Sequence, residues 1–265
     1  MITIITINYN NVAGLRATLE SASSQSWKEF EHIVIDGGSD DGSVDLLRSG
    51  KYNISSWMSE PDTGIYDAQN KGAKLSTKPF ILFLNSGDHF VDSSSLDHAR
   101  LQLDESDLQS FDIIVKDFPG INNGKAFVKQ APDFLSFSFF FKDTLPHPST
   151  FIKRRLFEDH GYYDTTLQIV ADWKAFILWA CRHNCSYRHH PTPLSVFYGG
   201  GVSSHSNSRL CLLSERHSVL TTEFPAFVDD ARDLIDCRPA GHQLKALRAS
   251  KIIKALQTVH LLWKF

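Results

Sequence analysis

Residues 59–72, SEPDTGIYDAQNKG, crowd three acidic side chains around one turn. Glu60 and Asp62 come just before a Thr-Gly pair, and Asp67 lies in the segment that follows it. Such a turn requires Gly64, but it does not require three carboxylates, which repel one another when brought close together. We therefore expect this bend to form a polar wall of a pocket that receives a cation or the N–H donors of a ligand.

Polar side chains also follow the other apolar segments in the first third of the chain. They are Asn8, Tyr9 and Asn10 after ITIITI, Asp36 after HIVID, and Asn85 and Asp88 after FILFL. Each one alone is an ordinary turn or helix-capping residue, which is the structural alternative. Because ligands of open parallel sheets bind at the carboxyl ends of the strands, polar groups at four successive strand ends predict one shared pocket.

The elements that must position these side chains alternate along the chain. Runs rich in β-branched and aromatic residues predict strands at residues 2–7, 32–36, 54–60, 79–88 and 111–117. Segments with helical spacing of apolar residues lie between them. This order predicts an α/β fold, in which a mostly parallel sheet is flanked by helices on both faces.

Composition excludes several classes of protein. The 265 residues carry a formal net charge of −3, with a pI near 6.4, so the chain has no general nucleic-acid signature. No basic region precedes the apolar start, and no apolar run approaches the roughly 20 residues of a membrane-spanning helix. We expect a cytoplasmic protein whose four cysteines stay reduced.

Glycine-rich phosphate loops do not occur at the strand-to-helix turns. The absence of G-x-G-x-x-G and G-x-x-x-x-G-K-[ST] there argues against dinucleotide and P-loop sites. A phosphate-bearing ligand held without such a loop is typically bridged through Mg²⁺ or Mn²⁺ to a carboxylate. The acidic strand ends therefore favour a metal–phosphate pocket.

Five segments, in order, resemble the motifs of the family 2 glycosyltransferases, which have the GT-A fold. They are ITIITINYN, IVIDGGSDDGS, SEPDTGIYDAQNKG, FLNSGDHF and HPSTFIKRRLFEDHGYYD with VADW. The resemblance implies a Rossmann-like sheet and an inverting hexosyl- or N-acetylhexosaminyltransferase that uses Mn²⁺ or Mg²⁺. It implies a nucleotide-diphosphate sugar donor, with a UDP-sugar favoured. The implied acceptor is a glycan or lipid-linked hydroxyl, as in capsule, O-antigen or exopolysaccharide biosynthesis.

The resemblance assigns the donor side of the pocket residue by residue. Tyr9 would lie against the nucleotide base, and Asp36 would accept the imide N–H of that base. Asp62, Asn70 and Ser86 would line the same pocket. For Asn70, a place on a helix surface is the alternative.

The resemblance assigns the metal to Asp88. The acidic D-x-D pattern of the family is replaced by Asn85-Ser86-Gly87-Asp88, so only the last position keeps a carboxylate. The diphosphate of the substrate would then have to complete the coordination shell. His205 follows three glycines, in a segment that resembles a loop closing over the donor, and is a second candidate ligand. An exposed loop histidine is the alternative.

Asp172 stands where the family often has its general base. Direct displacement at an anomeric carbon needs a carboxylate beside the acceptor hydroxyl, although an Asp at a helix start is also a good N-cap. His147 and Trp173 are assigned to the acceptor, with a rigid turn and a core aromatic as their alternatives. Cys181, Cys185, His189 and His190 have a zinc-like spacing, for which core packing is the favoured interpretation.

The predicted domain is a GT-A catalytic domain at residues 1–205, with a nucleotide-sugar and metal half at 1–118 and an acceptor half at 119–205. Residues 206–265 are predicted to form a helical C-terminal extension. Its last part, from residue 242, combines an apolar stripe with basic side chains. This favours either a packed terminal helix or a peripheral contact with the inner face of the plasma membrane.

Two other functions stay open from the sequence. A sugar-phosphate nucleotidyltransferase has a similar sheet, but the turn NYNNVAG lacks the Gly-rich, Arg-bearing loop that it would need. A non-catalytic module that binds nucleotide-sugars is the third hypothesis. Donor turnover that depends on Asp172 would distinguish the transferase from this module.

Overall fold

The structure, a computed structural model, describes residues 1–117, 125–199, 208–230 and 232–233. Its strands are β1 (Ile2–Asn8), β2 (Glu31–Asp36), β3 (Ser56–Ser59), β4 (Phe80–Phe83), β5 (His89–Phe90), β6 (Leu108–Lys116), β7 (Phe127–Lys129), β8 (Thr150–Lys153) and β9 (Tyr187–Tyr198). Its helices are α1 (Val12–Ser23), α2 (Ser43–Arg48), α3 (Ile65–Leu75), α4 (Ser95–Gln102), α5 (Phe137–Phe140), α6 (Arg155–His160), α7 (Ala171–Cys181) and α8 (Ser208–Glu223). A 3-10 turn, His147–Ser149, leads into β8.

The strands form one sheet in the order β3-β2-β1-β4-β8-β6-β9-β5, and β7 pairs with β6. The first four strands in this order pair in parallel, with α1, α2 and α3 as the crossovers that the alternating pattern predicted. β8 then pairs antiparallel with both β4 and β6. The sheet is therefore parallel in its first half and mixed in its second half.

The second half of the sheet is built from longer-range pairings. β6 runs parallel to β9, with a register shift between Phe111 and Ile113. β7 pairs antiparallel with β6, so that Val115 faces Phe127. This pairing fits the sequence of residues 121–130, INNGKAFVKQ, in which Asn-Asn-Gly predicts the turn of a hairpin. The residues of the turn itself lie outside the described part.

The core lies on both faces of β1 and β4. Every residue of β1 is buried, and so is every residue of β4. A strand covered by helices on both faces buries side chains in both directions, which explains why FILF is a continuous apolar run. In ITIITI the buried hydroxyls of Thr3 and Thr6 donate to Glu31 Oε2 and to the Leu84 carbonyl. The large buried aromatic residues Phe83, Phe111 and Phe151 extend this core toward the second half of the sheet.

Helix α3 approaches the sheet closely at Gly72. A Cβ atom added at Gly72 would lie 2.4 Å from Ile5 Cγ2 and 3.4 Å from Ile35 Cγ1. The first distance is far inside van der Waals contact, so only glycine permits this approach. The contact fixes the height of α3 above β1 and β2.

The chain divides into two compact units, Met1–His217 and Ser218–Phe265. The first unit contains the sheet and helices α1–α7, and the second begins within α8. The domain boundaries expected at residues 118 and 205 stay predictions. The basic stripe from residue 242 onward lies outside the described residues. In the part of the chain that the structure describes, no helix has both the length and the apolar character to cross a membrane.

Candidate active site

A cavity of about 610 Å³ lies at the carboxyl ends of β1 and β4. This volume is in the range of small-molecule sites, about 300–1,000 Å³. Its lining brings together polar groups from the strand ends, α3, the turn before β8 and α7: Asn8, Tyr9, Asp62, Gln69, Asn85, Ser86, Asp88, His147 and Asp172. Most of the residues that the sequence assigned to a pocket therefore line one cavity.

Strand register explains how the donor-side residues meet. Asn8 is the register partner of Asp36, which is in turn the partner of Ser59. Because these strands are parallel, the polar groups that follow them lie in one row at a single sheet edge. The row was predicted from the sequence, and the structure places it beside the cavity.

Tyr9 and Asp62 lie close together at the rim of the cavity. Tyr9 is 67% exposed, so its ring is accessible to a ligand. A Cβ at Gly37 would lie 2.6 Å from Asp62 Oδ2 and 3.2 Å from a Tyr9 ring carbon. Glycine at this position therefore makes room for both side chains.

Asp36 lies beneath the cavity and is fully buried. Its Oδ1 accepts hydrogen bonds from Asn8 Nδ2 at 2.7 Å and Ser39 Oγ at 2.6 Å. Its Oδ2 accepts from the Ser39 amide at 2.9 Å and Ser59 Oγ at 2.7 Å. Burial alone would raise the pKa of Asp36, but the hydrogen bonds from Ser39, Ser59 and Asn8 lower it below its usual value. The carboxylate is ionised, and all four of its acceptor positions are in use.

The crowded bend of residues 59–72 divides its acids between two roles. Lys71 Nζ binds Glu60 Oε1 at 2.9 Å and Asp67 Oδ2 at 3.4 Å, and Asp67 also accepts the Thr63 amide at 3.1 Å. Asp62 alone lines the cavity. The bend therefore contributes a wall of the cavity through Asp62, while Lys71 pairs with the other two acids.

Asp88 ends the loop that follows β4. Gly87, with φ of 107°, takes a backbone conformation that favours glycine, and the Thr18 hydroxyl donates to the Asp88 carbonyl at 2.7 Å. The side chain lines the cavity while the residue is only 6% exposed. Burial raises the pKa of Asp88 to about 8, although a backbone hydrogen bond involving Asn85 opposes this shift.

Amide side chains line the same cavity as this carboxylate. Asn8 Oδ1 and Gln69 Oε1 are buried and have no hydrogen-bond partner among the described residues. Gln69 Nε2 donates to Asn85 Oδ1 at 3.4 Å. No three His, Cys, Asp or Glu side chains converge as a metal cage within the described ranges. One carboxylate with amide oxygens still suits a hard divalent cation whose remaining ligands come from a substrate.

Asp172 faces the cavity from the first turn of α7. Its Oδ1 accepts a hydrogen bond from Tyr66 Oη at 2.9 Å, and its Oδ2 lies 4.0 Å from His147 Nδ1. The helix N-cap is Val170, which makes no side-chain capping bond. The alternative interpretation of Asp172 as an N-cap is therefore wrong, since the residue already lies inside the helix.

His147 forms the floor beside Asp172. Its ring packs 4.7 Å from the Phe83 ring, and its Nε2 lies 2.9 Å from Tyr163 Oη. Burial lowers the pKa of His147, although the negative charge of Asp172 opposes this shift. The imidazole is therefore neutral near pH 7, and its Nδ1 side faces Asp172 and the cavity.

Like Asp36, two further assigned residues do not belong to the cavity lining. Asn70 is buried, and its amide spans the Tyr163 backbone, donating to the carbonyl at 2.8 Å and accepting from the N–H at 2.9 Å. Trp173 is 1% exposed, its Nε1 donates to the Phe140 carbonyl at 2.8 Å, and Arg216 covers its ring. Trp173 is thus a core aromatic with no face for a sugar, and Asn70 is not on a helix surface. His205 lies outside the described residues.

The zinc-like spacing has a structural explanation. His189 contacts Asp112 through Nε2 and Asp133 through Nδ1, each at 2.8 Å. His190 stacks on Phe111, with ring centroids 4.5 Å apart. Cys181 and Cys185 are free thiols. The described residues do not bring these four side chains together as metal ligands.

Three site residues escaped the sequence analysis. Tyr66 and Gln69 both lie in the motif SEPDTGIYDAQNKG and on α3. Their spacing along the helix that follows the bend could have suggested both. Glu215 is different, because it comes from α8 and accepts hydrogen bonds from the amides of residues 168–170 at 2.7, 3.0 and 3.2 Å. No local pattern in the sequence links it to α7.

Comparison with known proteins agrees with this arrangement. The family profile of glycosyl transferase family 2 matches residues 3–152, which is more than half of the chain. The chain belongs to glycosyl transferase family 2. The predicted family is thereby confirmed, and the matched range covers the donor-side residues and His147.

Relatives and solved structures extend this family assignment. The chain is 30% identical over 179 residues to a PGL/p-HBAD biosynthesis glycosyltransferase of Mycobacterium bovis, covering 65% of this chain and 67% of that protein. S. aureus TarS 1–349 in complex with UDP-GlcNAc is similar in structure, with a TM-score of 0.61 and 19% identity over 76% of this chain and 59% of that TarS chain. The mannosyltransferase PcManGT from Pyrobaculum calidifontis, in complex with GDP-Man and Mn²⁺, has a TM-score of 0.59 and 15% identity over 97% of this chain and 83% of its own. The fold of this family 2 chain is GT-A.

Proposed function

We propose that the chain transfers a sugar, with inversion, from a nucleotide-diphosphate sugar to a hydroxyl of a glycan or lipid-linked acceptor. Polysaccharide biosynthesis (capsule, O-antigen or exopolysaccharide) is the proposed setting. One observation carries the proposal: Asp88 and Asp172 face the same cavity from the donor side and the acceptor side. Family membership supports the reaction class, and the named relatives act as glycosyltransferases.

The donor would lie along the row of strand ends. In this proposal the base packs on exposed Tyr9, with Asp62 and Ser86 beside it in the cavity. Asp36 would accept the base N–H only by exchanging one of its four hydrogen bonds. A UDP-sugar is the favoured donor, which the complex of TarS with UDP-GlcNAc supports. The complex of PcManGT makes GDP-sugars the first alternative.

A divalent cation, Mn²⁺ or Mg²⁺, is the proposed cofactor. Asp88 would hold it, and the amide oxygens of Gln69, Asn85 or Asn8, which line the same cavity, would assist. Such an ion would offset the negative charge that builds on the departing diphosphate. The raised pKa of Asp88 fits a carboxylate whose buried charge is compensated only when a ligand is bound.

Asp172 is proposed as the general base. The acceptor oxygen attacks the anomeric carbon, its proton passes to Asp172, and the bond from that carbon to the diphosphate breaks. Attack opposite the leaving group inverts the configuration. His147 lies beside Asp172 on the acceptor side, where its neutral ring can hydrogen-bond a sugar hydroxyl.

Two parts of the proposal concern residues outside the described ranges. His205 stays a proposed second ligand of the donor diphosphate or the metal. The basic segment from residue 242 stays a proposed peripheral contact with the inner face of the plasma membrane, from the cytoplasmic side. This contact would suit a lipid-linked acceptor.

The function is tested with purified full-length protein, UDP- and GDP-sugars, Mn²⁺ and p-nitrophenyl glycosides as probe acceptors. The wild type should release nucleoside diphosphate, and Asp172→Asn should bind donor normally while transfer falls by about 100-fold or more. Asp45→Asn, an exposed carboxylate on α2, is the matched control. Release of pyrophosphate would instead indicate a nucleotidyltransferase, and donor binding without turnover would indicate a binding module. Activity of Asp172→Asn within a few-fold of the wild type would refute the base assignment.

A further inference from the structure

The hydroxyl of Tyr66 lies between two acceptors but carries one proton. Tyr66 Oη is 2.6 Å from the Ile169 carbonyl oxygen and 2.9 Å from Asp172 Oδ1. A phenol can donate only one full hydrogen bond at a time, and its O–H rotates toward the stronger acceptor. The two acceptors therefore compete for the same proton.

Tyr66 keeps this proton throughout. The residue is 7% exposed, and burial, followed by the charge of Asp172, raises the pKa of Tyr66 far above its usual value. The phenol is thus a fixed donor and takes no part in proton transfer. Tyr66 must therefore affect the reaction through the acceptor to which its O–H is directed.

The stronger acceptor changes with the charge of Asp172. While Asp172 is ionised, a charge-assisted bond to Oδ1 is favoured, which holds the carboxylate and leaves Oδ2 toward the acceptor side. After Asp172 takes the proton of the acceptor, Oδ1 becomes a weaker acceptor, and the Ile169 carbonyl can receive the phenol O–H. The buried hydroxyl has a partner in both states, so neither state incurs the cost of an unsatisfied polar group.

The Ile169 carbonyl is itself held in place by Glu215. Glu215 Oε2 accepts the Ile169 and Val170 amides at 3.0 and 3.2 Å, and Oε1 accepts the Gln168 amide at 2.7 Å. In a trans peptide, the N–H of Val170 and the C=O of Ile169 lie in one plane and point in opposite directions. Binding of that N–H by Glu215 therefore turns the carbonyl toward Tyr66.

We propose that Tyr66 is the positioning residue for Asp172, and that Glu215 acts through the Ile169 peptide to set the second partner of Tyr66. The inference rests on the proposed function, in which Asp172 is the base. It assigns a role in catalysis to a carboxylate on α8 that is not among the residues lining the cavity.

The first test compares Tyr66→Phe with Tyr187→Phe. Tyr187 also donates to a backbone carbonyl, that of Pro132 at 2.7 Å, but it does not line the cavity. We expect Tyr66→Phe to lower kcat by between about 10- and 100-fold, because Asp172 loses the hydrogen bond that positions it. KM for the donor should stay within about twofold, because the residues at the strand ends that would bind the donor are not displaced. Tyr187→Phe should keep kcat while losing a similar amount of thermal stability. A kcat of Tyr66→Phe within twofold of the wild type overturns the inference.

The second test is a double-mutant cycle. Glu215→Ala should lower kcat by roughly tenfold, while Glu158→Ala, which breaks an exposed pair with Arg154, should not. If Glu215 acts through Tyr66, the double variant Tyr66→Phe/Glu215→Ala should be no more than about threefold slower than Tyr66→Phe alone. Fully multiplicative effects would show that Glu215 acts elsewhere and would overturn its part of the inference.

The failure of this inference differs from the failure of the proposed function. Nucleoside diphosphate release by the wild type, together with unchanged turnover in Tyr66→Phe, overturns the inference alone. If the wild type releases no nucleoside diphosphate from any UDP- or GDP-sugar, the proposed function fails, and the inference fails with it. Turnover that is lost in Asp172→Asn and reduced in both positioning variants supports both.

Discussion

The two walls of the cavity are built in different ways. On the donor side, the site residues follow β1, β2, β3 and β4 directly, and parallel register brings them into one row. On the acceptor side, Asp172 accepts a hydrogen bond from Tyr66 of α3. The segment just before α7 is held by Glu215 of α8, which accepts the Val170 amide. The donor wall is therefore a local consequence of strand ends, whereas the acceptor wall is a product of tertiary hydrogen bonds.

This difference predicts different responses to mutation. A residue at a strand end can lose its ligand contact while the sheet stays intact, because backbone ladders hold the strand. A residue in the acceptor wall is coupled to partners far away in the chain, so its effects should be non-additive. Variants in each wall test this difference.

The largest effect is expected for Asp88→Asn on the donor wall. Transfer should fall by about 100-fold or more, and Mn²⁺ with donor should no longer raise the thermal midpoint, because the charged ligand is lost. The midpoint in EDTA should not fall, since a buried amide avoids the desolvation cost of a buried carboxylate.

Differential scanning fluorimetry with and without Mn²⁺ and UDP-GlcNAc measures both midpoints, with Asp45→Asn as the control. An unchanged Mn²⁺-dependent shift in Asp88→Asn would remove the metal assignment.

A smaller effect, on stability alone, is expected for Asn70→Ala. The amide satisfies both backbone groups of Tyr163, so its removal should lower the free energy of unfolding by about 2–3 kcal/mol. Donor affinity should stay within about twofold, because Asn70 does not line the cavity. Urea unfolding and calorimetric titration with UDP separate the two quantities, and Gln102→Ala on exposed α4 is the control. A large loss of affinity with normal stability would restore the donor-binding role expected from the sequence.

The smallest effect concerns His32, which lies in β2 far from the chemistry. Its side chain is fully buried, and burial lowers the pKa of His32 to about 4. The unfolded chain binds a proton near pH 6.5, whereas the folded chain does not. Stability therefore falls as the pH drops from about 6.5 to 4, by roughly 2 kcal/mol between pH 7 and pH 5.

Unfolding in urea at several pH values tests this dependence. His32→Gln keeps a polar partner for Thr6 Oγ1, which lies 3.0 Å from His32 Nε2. This variant should lose that part of the pH dependence, and an unaltered acid slope would contradict the prediction.

The comparison also explains how much the sequence could predict. The first four strands, their helices and the cavity residues Tyr9, Asp62, Asn85 and Asp88 follow from local patterns, because strand ends place them. Asp172 and His147 were found only through the family resemblance. Their roles stay predictions, although both residues line the cavity.

Some side-chain contacts and strand pairings could not be predicted from the sequence, for physical reasons. Lys71 takes Glu60 and Asp67 away from the cavity, and the side-chain amide of Asn70 turns to the Tyr163 backbone. Both outcomes depend on side-chain partners that a spacing pattern does not show. The antiparallel insertion of β8 between β4 and β6 likewise depends on long-range pairing rather than on local propensity.

The contact of Gly72 with Ile5 has a consequence for genetics. α3 carries Tyr66 at its start, about 9 Å along the helix axis from Gly72. A methyl group at position 72 would meet Ile5 Cγ2 at 2.4 Å and push the helix outward as a stiff rod. A shift of the helix by tenths of an ångström would also move the Tyr66 hydroxyl. That hydroxyl lies within hydrogen-bond distance of both the Ile169 carbonyl and Asp172 Oδ1. Screens for inactive alleles should therefore recover position 72 alongside the acidic residues, although it lies in the hydrophobic interior and meets no sugar.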